Sequence, residues 1–91
     1  MSIDLDAPYR LDDRVALRPE PFGALAYHFG NRRLTFLRSP EIVAVVQGLD
    51  GAESVADALR AASIDERRWP SFTTALDSLA ASDMIHPRAA A

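Results

Sequence analysis

The sequence predicts one α+β domain in which three antiparallel strands precede three helices. Between residues 15 and 37, apolar side chains recur at every second position, which is typical of strands. After Ser39 they recur at spacings of three and four, which is typical of amphipathic helices. The order predicts a winged helix-turn-helix fold, with the second and third helices as the helix-turn-helix pair and a β-hairpin as the wing.

The first predicted strand spans residues 15–18. Pro19 and Pro21 follow it, and because proline excludes a helix they predict an extended connector after this strand. The second, residues 23–29, has two unlike faces. One face carries Leu25, Tyr27 and Phe29, and the other carries Ala24, Ala26 and His28. Gly30 and Asn31 suit the two central positions of a type II′ hairpin turn.

The third predicted strand, residues 32–37, also has two faces. We interpret Leu34 and Phe36, together with Leu79 of the third helix, as core residues. The alternate positions Arg33, Thr35 and Leu37 are then outward, and an outward Leu between polar neighbours gains little from burial. This face is therefore a candidate for function.

Each predicted helix has a recognisable start. Ser39 is an N-cap followed by Pro40 at the first helical position, and the helix ends between Gly48 and Gly51. Ser54, with an acid three residues later, begins the second helix. The third begins near Trp69 and runs to about Ser82, with Trp69, Phe72, Leu76 and Leu79 on its buried face. Residues 84–86 are expected to form a short final strand.

The composition restricts the classes of function. The chain has 91 residues, 48% of them hydrophobic, and a net charge of −3 with no cysteine. Absence of cysteine excludes disulfides, zinc–thiolate sites and iron–sulfur clusters. Residues 1–13 are acidic and predict a partly ordered tail ahead of a domain at 14–88. Since the N-terminus has neither a basic segment nor a long apolar run, we expect a cytoplasmic protein without a membrane partner.

No set of residues predicts catalysis. His28 and His86 are far apart in sequence and have no partner at metal-ligand spacing, so we expect no metal site. No phosphate-binding loop, nucleophile elbow or dinucleotide fingerprint is present, so no cofactor is expected. The sequence therefore predicts a protein that is not an enzyme.

Two binding functions stay open from the residues alone. A helix-turn-helix order is compatible with DNA, but the third helix has no Arg between Ser71 and Ala80 and carries Asp77, so nucleic acid is the weaker alternative. If the strand at residues 32–37 is a sheet edge, its unpaired backbone groups can accept an extended peptide as an added strand. Phe72, Ala75 and Leu76 could then form one wall of a groove.

Residues 15–27, residues 30–37 and the Ser39–Pro40 pair resemble the PqqD-like recognition elements of ribosomally made, post-translationally modified peptides. Within that group they are similar to the precursor-peptide chaperones of the mycofactocin type. The resemblance covers nearly the whole chain after the tail. It implies a protein that binds the leader region of a precursor peptide and presents it to a radical S-adenosylmethionine maturase, which carries the cofactors. A purely structural subunit of such a maturase is the alternative.

The resemblance also implies where the peptide binds. The leader would lie along the third predicted strand and beside the third helix, and acidic leaders would favour contacts with arginine. The predicted peptide-binding residues are Arg32, Arg33, Leu34, Thr35, Phe36, Leu37, Arg68, Phe72, Ala75, Leu76 and Leu79. Arg38 and Arg67 are further candidate contacts. Thr35→Pro is expected to abolish binding if the Thr35 N–H points to the open edge.

Overall fold

A computed structural model of the chain describes residues 3–88. Two short 3-10 turns, Leu49–Gly51 and Glu66–Arg68, connect the helices. The other elements, in chain order, are β1 (Tyr9–Leu11), β2 (Val15–Glu20), β3 (Gly23–His28), β4 (Leu34–Leu37), α1 (Pro40–Gly48), α2 (Val55–Ala61), α3 (Trp69–Ala81) and β5 (Ile85–Pro87). The α+β class, the three-stranded antiparallel sheet and the three helices are as predicted, in the order of a winged helix-turn-helix.

The main sheet has the strand order β2-β3-β4, and both of its pairings are antiparallel. β3 is therefore the central strand, while β2 and β4 are edge strands. In the register of the wing hairpin, Ala26 lies opposite Thr35 and Ala24 lies opposite Leu37. Neither edge strand pairs with a further strand within residues 3–88.

The predicted buried and exposed faces of the third strand of the main sheet, β4, are reversed. Ala24, Ala26 and His28 point into the core, and Leu37, predicted to be outward, is only 2% exposed. Leu34 and Phe36, predicted to be core, are 52% and 54% exposed. The small alanines allow α1 to pack closely against β3, which leaves the larger side chains for the opposite face.

The predicted two-residue turn at Gly30-Asn31 is also wrong. The His28 N–H donates to the Arg33 carbonyl, and the Arg32 N–H donates to the His28 carbonyl, and the five residues 29–33 connect the two strands. The left-handed position is Arg32, with φ of 63°. His28 Nδ1 accepts the N–H groups of Gly30 and Asn31 at 2.9 and 3.1 Å, which holds the turn in this form.

The helix starts are confirmed. The Ser39 hydroxyl accepts the Ile42 N–H, and the Ser54 hydroxyl accepts the Asp57 N–H. α3 begins at Trp69, and Trp69, Phe72, Leu76 and Leu79 are buried as predicted. No helix within residues 3–88 combines the length and apolarity needed to cross a membrane.

The N-terminal segment packs against the helices and forms a second sheet. β1 pairs with β5 in an antiparallel arrangement, which confirms the short final strand. The carbonyls of Leu5 and Ala7 accept the N–H groups of Ala56 and Val55 at the start of α2. The division into a tail, residues 1–13, and a recognition domain, residues 14–88, stays a prediction, and residues 1, 2 and 89–91 lie outside the described residues.

Candidate functional site

A groove of about 690 Å³ runs between the edge strand β4 and helix α3. Residues of β4 line one side of it, and residues of α3 line the other. Its walls come from β4, from the first turn of α1 and from one face of α3. The lining residues are Leu34, Thr35, Phe36, Leu37, Arg38, Ser39, Glu41, Ile42, Arg68, Ser71, Phe72, Thr74, Ala75 and Ser78.

The hydrogen-bond pattern of the hairpin fixes which backbone groups of β4 point outward. The His28 N–H donates to the Arg33 carbonyl, which makes this a hydrogen-bonded pair. Such pairs alternate along an antiparallel ladder, so the N–H and C=O groups of Thr35 and Leu37 point towards β3. The same groups of Leu34 and Phe36 point to the free edge. Two residues of β4 therefore offer unpaired donors and acceptors.

This geometry corrects the test based on Thr35. The Thr35 N–H points to Ala26 inside the sheet, so proline at that position would break the ladder of the hairpin and would not probe the edge. Phe36 and Leu34 are the positions at which proline removes an outward N–H. Of these, Phe36 lies between two groove residues and is the sharper probe.

A salt bridge closes the end of the groove at the start of α3. The Arg68 guanidinium donates to both carboxylate oxygens of Glu41, at 2.7 and 2.6 Å. It also lies over the ring of Phe72, 5.4 Å from the centroid. The hydrogen bonds from Arg68 lower the pKa of Glu41 below its ordinary value, so this carboxylate is ionised at neutral pH. The bidentate pair joins the first turn of α1 to α3.

The groove face of α3 combines a small side chain with hydroxyl groups. Ala75 leaves space opposite β4, and Ser71, Thr74 and Ser78, spaced three and four residues apart, flank it along the helix. The Thr74 and Ser78 hydroxyls donate to the Pro70 and Thr74 carbonyls of α3, and the Ser71 hydroxyl donates to the carbonyl of Arg68, just before the helix. Because their protons are engaged, these oxygens can act as acceptors towards a ligand in the groove.

The structure brings together seven of the eleven predicted site residues. Leu34, Thr35, Phe36, Leu37, Arg68, Phe72 and Ala75 line the groove. Leu76 and Leu79 are fully buried in the core, and Arg32 and Arg33 belong to the hairpin turn outside the groove lining. Of the two further arginines, Arg38 lines the groove and Arg67 pairs with Asp65 away from it. The peptide-binding role of all these residues stays a prediction.

Sequence reasoning missed the contribution of α1 and the hydroxyl row of α3. The residues that it did not name are Ser39, Glu41, Ile42, Ser71, Thr74 and Ser78. The hydroxyl row has a visible signal, because small polar residues at helical spacing flank Ala75. The Glu41–Arg68 pair has no signal in sequence, since 27 positions separate its members.

A second polar cluster surrounds Asp12, which lies between β1 and β2. Asp12 is buried, with Arg14 Nε 3.1 Å from its Oδ1 and His86 Nε2 2.6 Å from its Oδ2. Hydrogen bonds from the Arg14 side chain and backbone, and then from His86, hold the pKa of Asp12 well below its ordinary value. His28 Nε2 lies 3.7 Å from Asp12 Oδ2. The cluster ties β1 and β5 to the hairpin, which is a structural role.

Metal binding finds no support in the part of the chain that the structure describes. No group of three His, Cys, Asp or Glu side chains within residues 3–88 has an arrangement that could hold a metal ion. In the polar cluster, the hydrogen bonds of Arg14 and His86 already occupy both oxygens of Asp12.

Comparison with known proteins identifies the family. A model of the Peptide chaperone MftB family matches residues 8–86. A protein of Mycobacterium ulcerans is 46% identical over 89 residues, covering 98% of this chain and 82% of the relative, and one of Mycobacterium tuberculosis is 47% identical, covering 93% and 78%. A third, of Mycolicibacterium smegmatis, is 41% identical, covering 96% and 85%. All three are named Peptide chaperone MftB, which describes a non-catalytic role.

No solved structure matches the chain significantly. The family assignment therefore rests on sequence over nearly the whole chain, including every residue that lines the groove. The chain belongs to the Peptide chaperone MftB family.

Proposed function

We propose that this chain binds the leader region of a ribosomally made precursor peptide of the mycofactocin type and presents it to a radical S-adenosylmethionine maturase. The peptide is held as an additional strand on the free edge of β4. The chain itself contributes no chemistry, and the cofactors belong to the maturase. This is a binding function with two partners, the peptide and the enzyme.

The observation that carries the proposal is the open edge beside the groove. The backbone groups of Leu34 and Phe36 point outward, so they can form ladder hydrogen bonds with an extended peptide. The neighbouring groove, at about 690 Å³, has room for alternate side chains of that peptide. Main-chain bonds then supply affinity, and the groove supplies selectivity.

Charge at the rim of the groove favours an acidic leader. Arg38 lines the groove, is exposed, and makes no ion pair with any residue that the structure describes. Arg68 is engaged by Glu41, so it presents less free charge. An exposed arginine at a rim mainly steers association and sets register, and salt weakens its effect.

A DNA-binding function has less support, because the surface of α3 is already used. One face of α3 is buried, and a second lines the groove. On a third, the Asp77 carboxylate accepts the N–H of Ile3 at 2.5 Å, which brings the N-terminal segment against the helix. Little of α3 is left to enter a major groove, as a recognition helix must.

The direct test is calorimetric titration of the protein with the precursor peptide encoded beside its gene, followed by its leader and C-terminal halves. We expect one-to-one binding that the leader half alone retains. The maturase should then modify the peptide faster when the chain is present. Binding to the maturase without any binding to the peptide would identify a structural subunit and overturn the proposal.

A further inference from the structure

The exposed face of the hairpin is unusually apolar for so small a protein. Within residues 3–88, the exposed large hydrophobic side chains are Phe22, Phe29, Leu34 and Phe36, at 44%, 64%, 52% and 54% exposure. All four belong to one segment of fifteen residues, 22–36. Contiguous apolar surface of this kind on a soluble domain marks a binding site.

Three of these side chains form a ridge along the free edge, which we call the outer ridge: Phe22, Leu34 and Phe36. The rings of Phe22 and Phe36 lie 6.0 Å apart. Phe22 belongs to the turn between β2 and β3 and so places its ring beside β4 without being part of that strand. The fourth exposed residue, Phe29, packs instead on Tyr27 of the central strand, with ring centroids 5.1 Å apart.

The outer ridge and the open edge belong to the same residues. Leu34 and Phe36 supply the outward backbone groups of β4 and border the groove at this edge, and their side chains lie on the exposed face of the hairpin, opposite to the buried Leu37. In an antiparallel strand pair, residues directly opposite each other place their side chains on the same face. Their Cα atoms are about 5.5 Å apart where the two residues form a hydrogen-bonded pair. A strand added here must therefore place every second side chain beside the outer ridge.

From this geometry we infer that the chain reads its peptide on both faces, with the outer ridge selecting apolar residues at two positions separated by one residue. The side chain of the residue between them, and the side chains two positions before and after that residue, enter the groove beside Thr35 and Ala75. The ligand class is thus an extended peptide whose apolar residues include an i, i+2 pair. This inference rests on the proposed function and adds a specificity determinant to it.

The chemistry of the two faces differs, which makes the inference selective. The outer ridge offers only aromatic and aliphatic carbon, so a charged residue opposite it would lose hydration without gaining a partner. The groove offers hydroxyl oxygens from Ser71, Thr74 and Ser78 in addition to apolar atoms, so it tolerates polar side chains. Peptide residues that face the outer ridge and peptide residues that face the groove should therefore respond differently to substitution.

Phe22→Ala is the variant that isolates the outer ridge. It removes an aromatic ring from the ridge and leaves every backbone group of β4 unchanged. Phe29→Ala is its matched control, because it removes the same side chain, at higher exposure, from a position outside the ridge. Cross-strand contacts with aromatic residues predict a loss of affinity of about three- to tenfold for Phe22→Ala, and little change for Phe29→Ala.

The experiment is calorimetric titration of the wild-type protein and both variants with the synthetic leader segment, and with a series in which each leader position in turn is Asp. We expect two Asp positions separated by one residue to weaken binding to the wild type strongly. Asp at those positions should weaken binding to Phe22→Ala to a smaller degree, since part of the ridge is already missing. Circular dichroism spectra confirm that both variants are folded.

The outcomes separate this inference from the proposed function. If the wild-type protein does not bind the leader, the proposed function fails. A second outcome is that the wild-type protein binds the leader, Phe22→Ala and Phe29→Ala have equal affinities, and only one set of alternate leader positions is sensitive to Asp. The added strand is then read from the groove alone, and the inference is overturned. Unchanged leader affinity combined with weaker binding of Phe22→Ala to the maturase would assign the ridge to the enzyme instead, and would also overturn it.

Discussion

The two edges of the main sheet are built in opposite ways. On β2, the residues whose backbone groups point away from the sheet are Val15, Leu17 and Pro19, because the Phe29 N–H donates to the Arg14 carbonyl and the pattern alternates from there. The Val15 N–H is already bonded to the Asp12 carbonyl, and Pro19 has no N–H. Of the outward backbone N–H groups of β2, therefore, just that of Leu17 is available to a further strand.

The β4 edge has none of these protections. It contains no proline, its outward donors at Leu34 and Phe36 are unpaired, and a groove lies beside it. Soluble proteins usually block a free edge, since an open one pairs with other chains. This difference between the two edges supports the proposal that β4, beside the groove, is the edge that binds the peptide.

The largest effect is expected from proline at the open edge. Phe36→Pro removes both an outward N–H and an aromatic side chain, whereas Phe36→Ala removes only the side chain. A lost ladder bond that leaves a peptide carbonyl unpaired costs about 1–3 kcal/mol, so Phe36→Pro should bind the leader about 5- to 150-fold more weakly than Phe36→Ala. Calorimetry on both folded variants measures the difference, and equal affinities would mean that the backbone of β4 takes no part in binding.

Filling the groove should produce the next largest effect. Ala75→Phe places a ring in the space opposite β4, and overpacking of about 1–3 kcal/mol predicts at least a fivefold loss of leader affinity. Ala61→Phe is the control, because Ala61 is an exposed helical alanine outside the groove. Fluorescence anisotropy with a labelled leader would compare the two. Full affinity in Ala75→Phe would show that no peptide side chain enters the groove.

A smaller effect is expected from the charge at the rim. An exposed arginine contributes about 0.2–1 kcal/mol, so Arg38→Ala should weaken leader binding up to about fivefold in low salt. The loss should shrink as salt is raised from 50 to about 500 mM, since the Debye length falls to a few ångströms. Arg18→Ala, on the outer side of β2, is the control. An affinity indifferent to both salt and Arg38 would leave the arginines without a role.

The smallest effect is expected at the blocked edge. Pro19→Ala restores an N–H on β2, whereas the groove described above lies beside β4. We expect unchanged leader affinity and a stoichiometry of one, together with a change in unfolding free energy of about 1 kcal/mol or less. A second molecule of leader bound to Pro19→Ala would show that an open edge is sufficient without a groove.

The sequence predicts where the helices and strands lie along the chain better than it predicts which of their faces is buried. Ser39, Ser54 and Trp69 mark helix starts through local chemistry, which does not depend on the rest of the molecule. Periodicity also shows which hairpin residues share a face. It does not show which face is buried, and here the small face of Ala24 and Ala26 is buried because α1 approaches closely.

Features that depend on distant residues are absent from the sequence prediction. β1 exists as a strand because it pairs with β5, more than seventy positions away. The hairpin turn follows from acceptance of two N–H groups by His28, not from the Gly30-Asn31 pair. Seven predicted site residues do line the groove, since the strand and helix that carry them were identified correctly, while Leu76 and Leu79 belong to the buried face of the same helix.

Strand addition at β4 is tested most directly by amide hydrogen exchange at the two edges, measured by NMR with and without saturating leader peptide. We expect the amides of Leu34 and Phe36 to become protected when the leader binds, while that of Leu17 continues to exchange at its previous rate. Protection of neither Leu34 nor Phe36 at full saturation would contradict strand addition at β4.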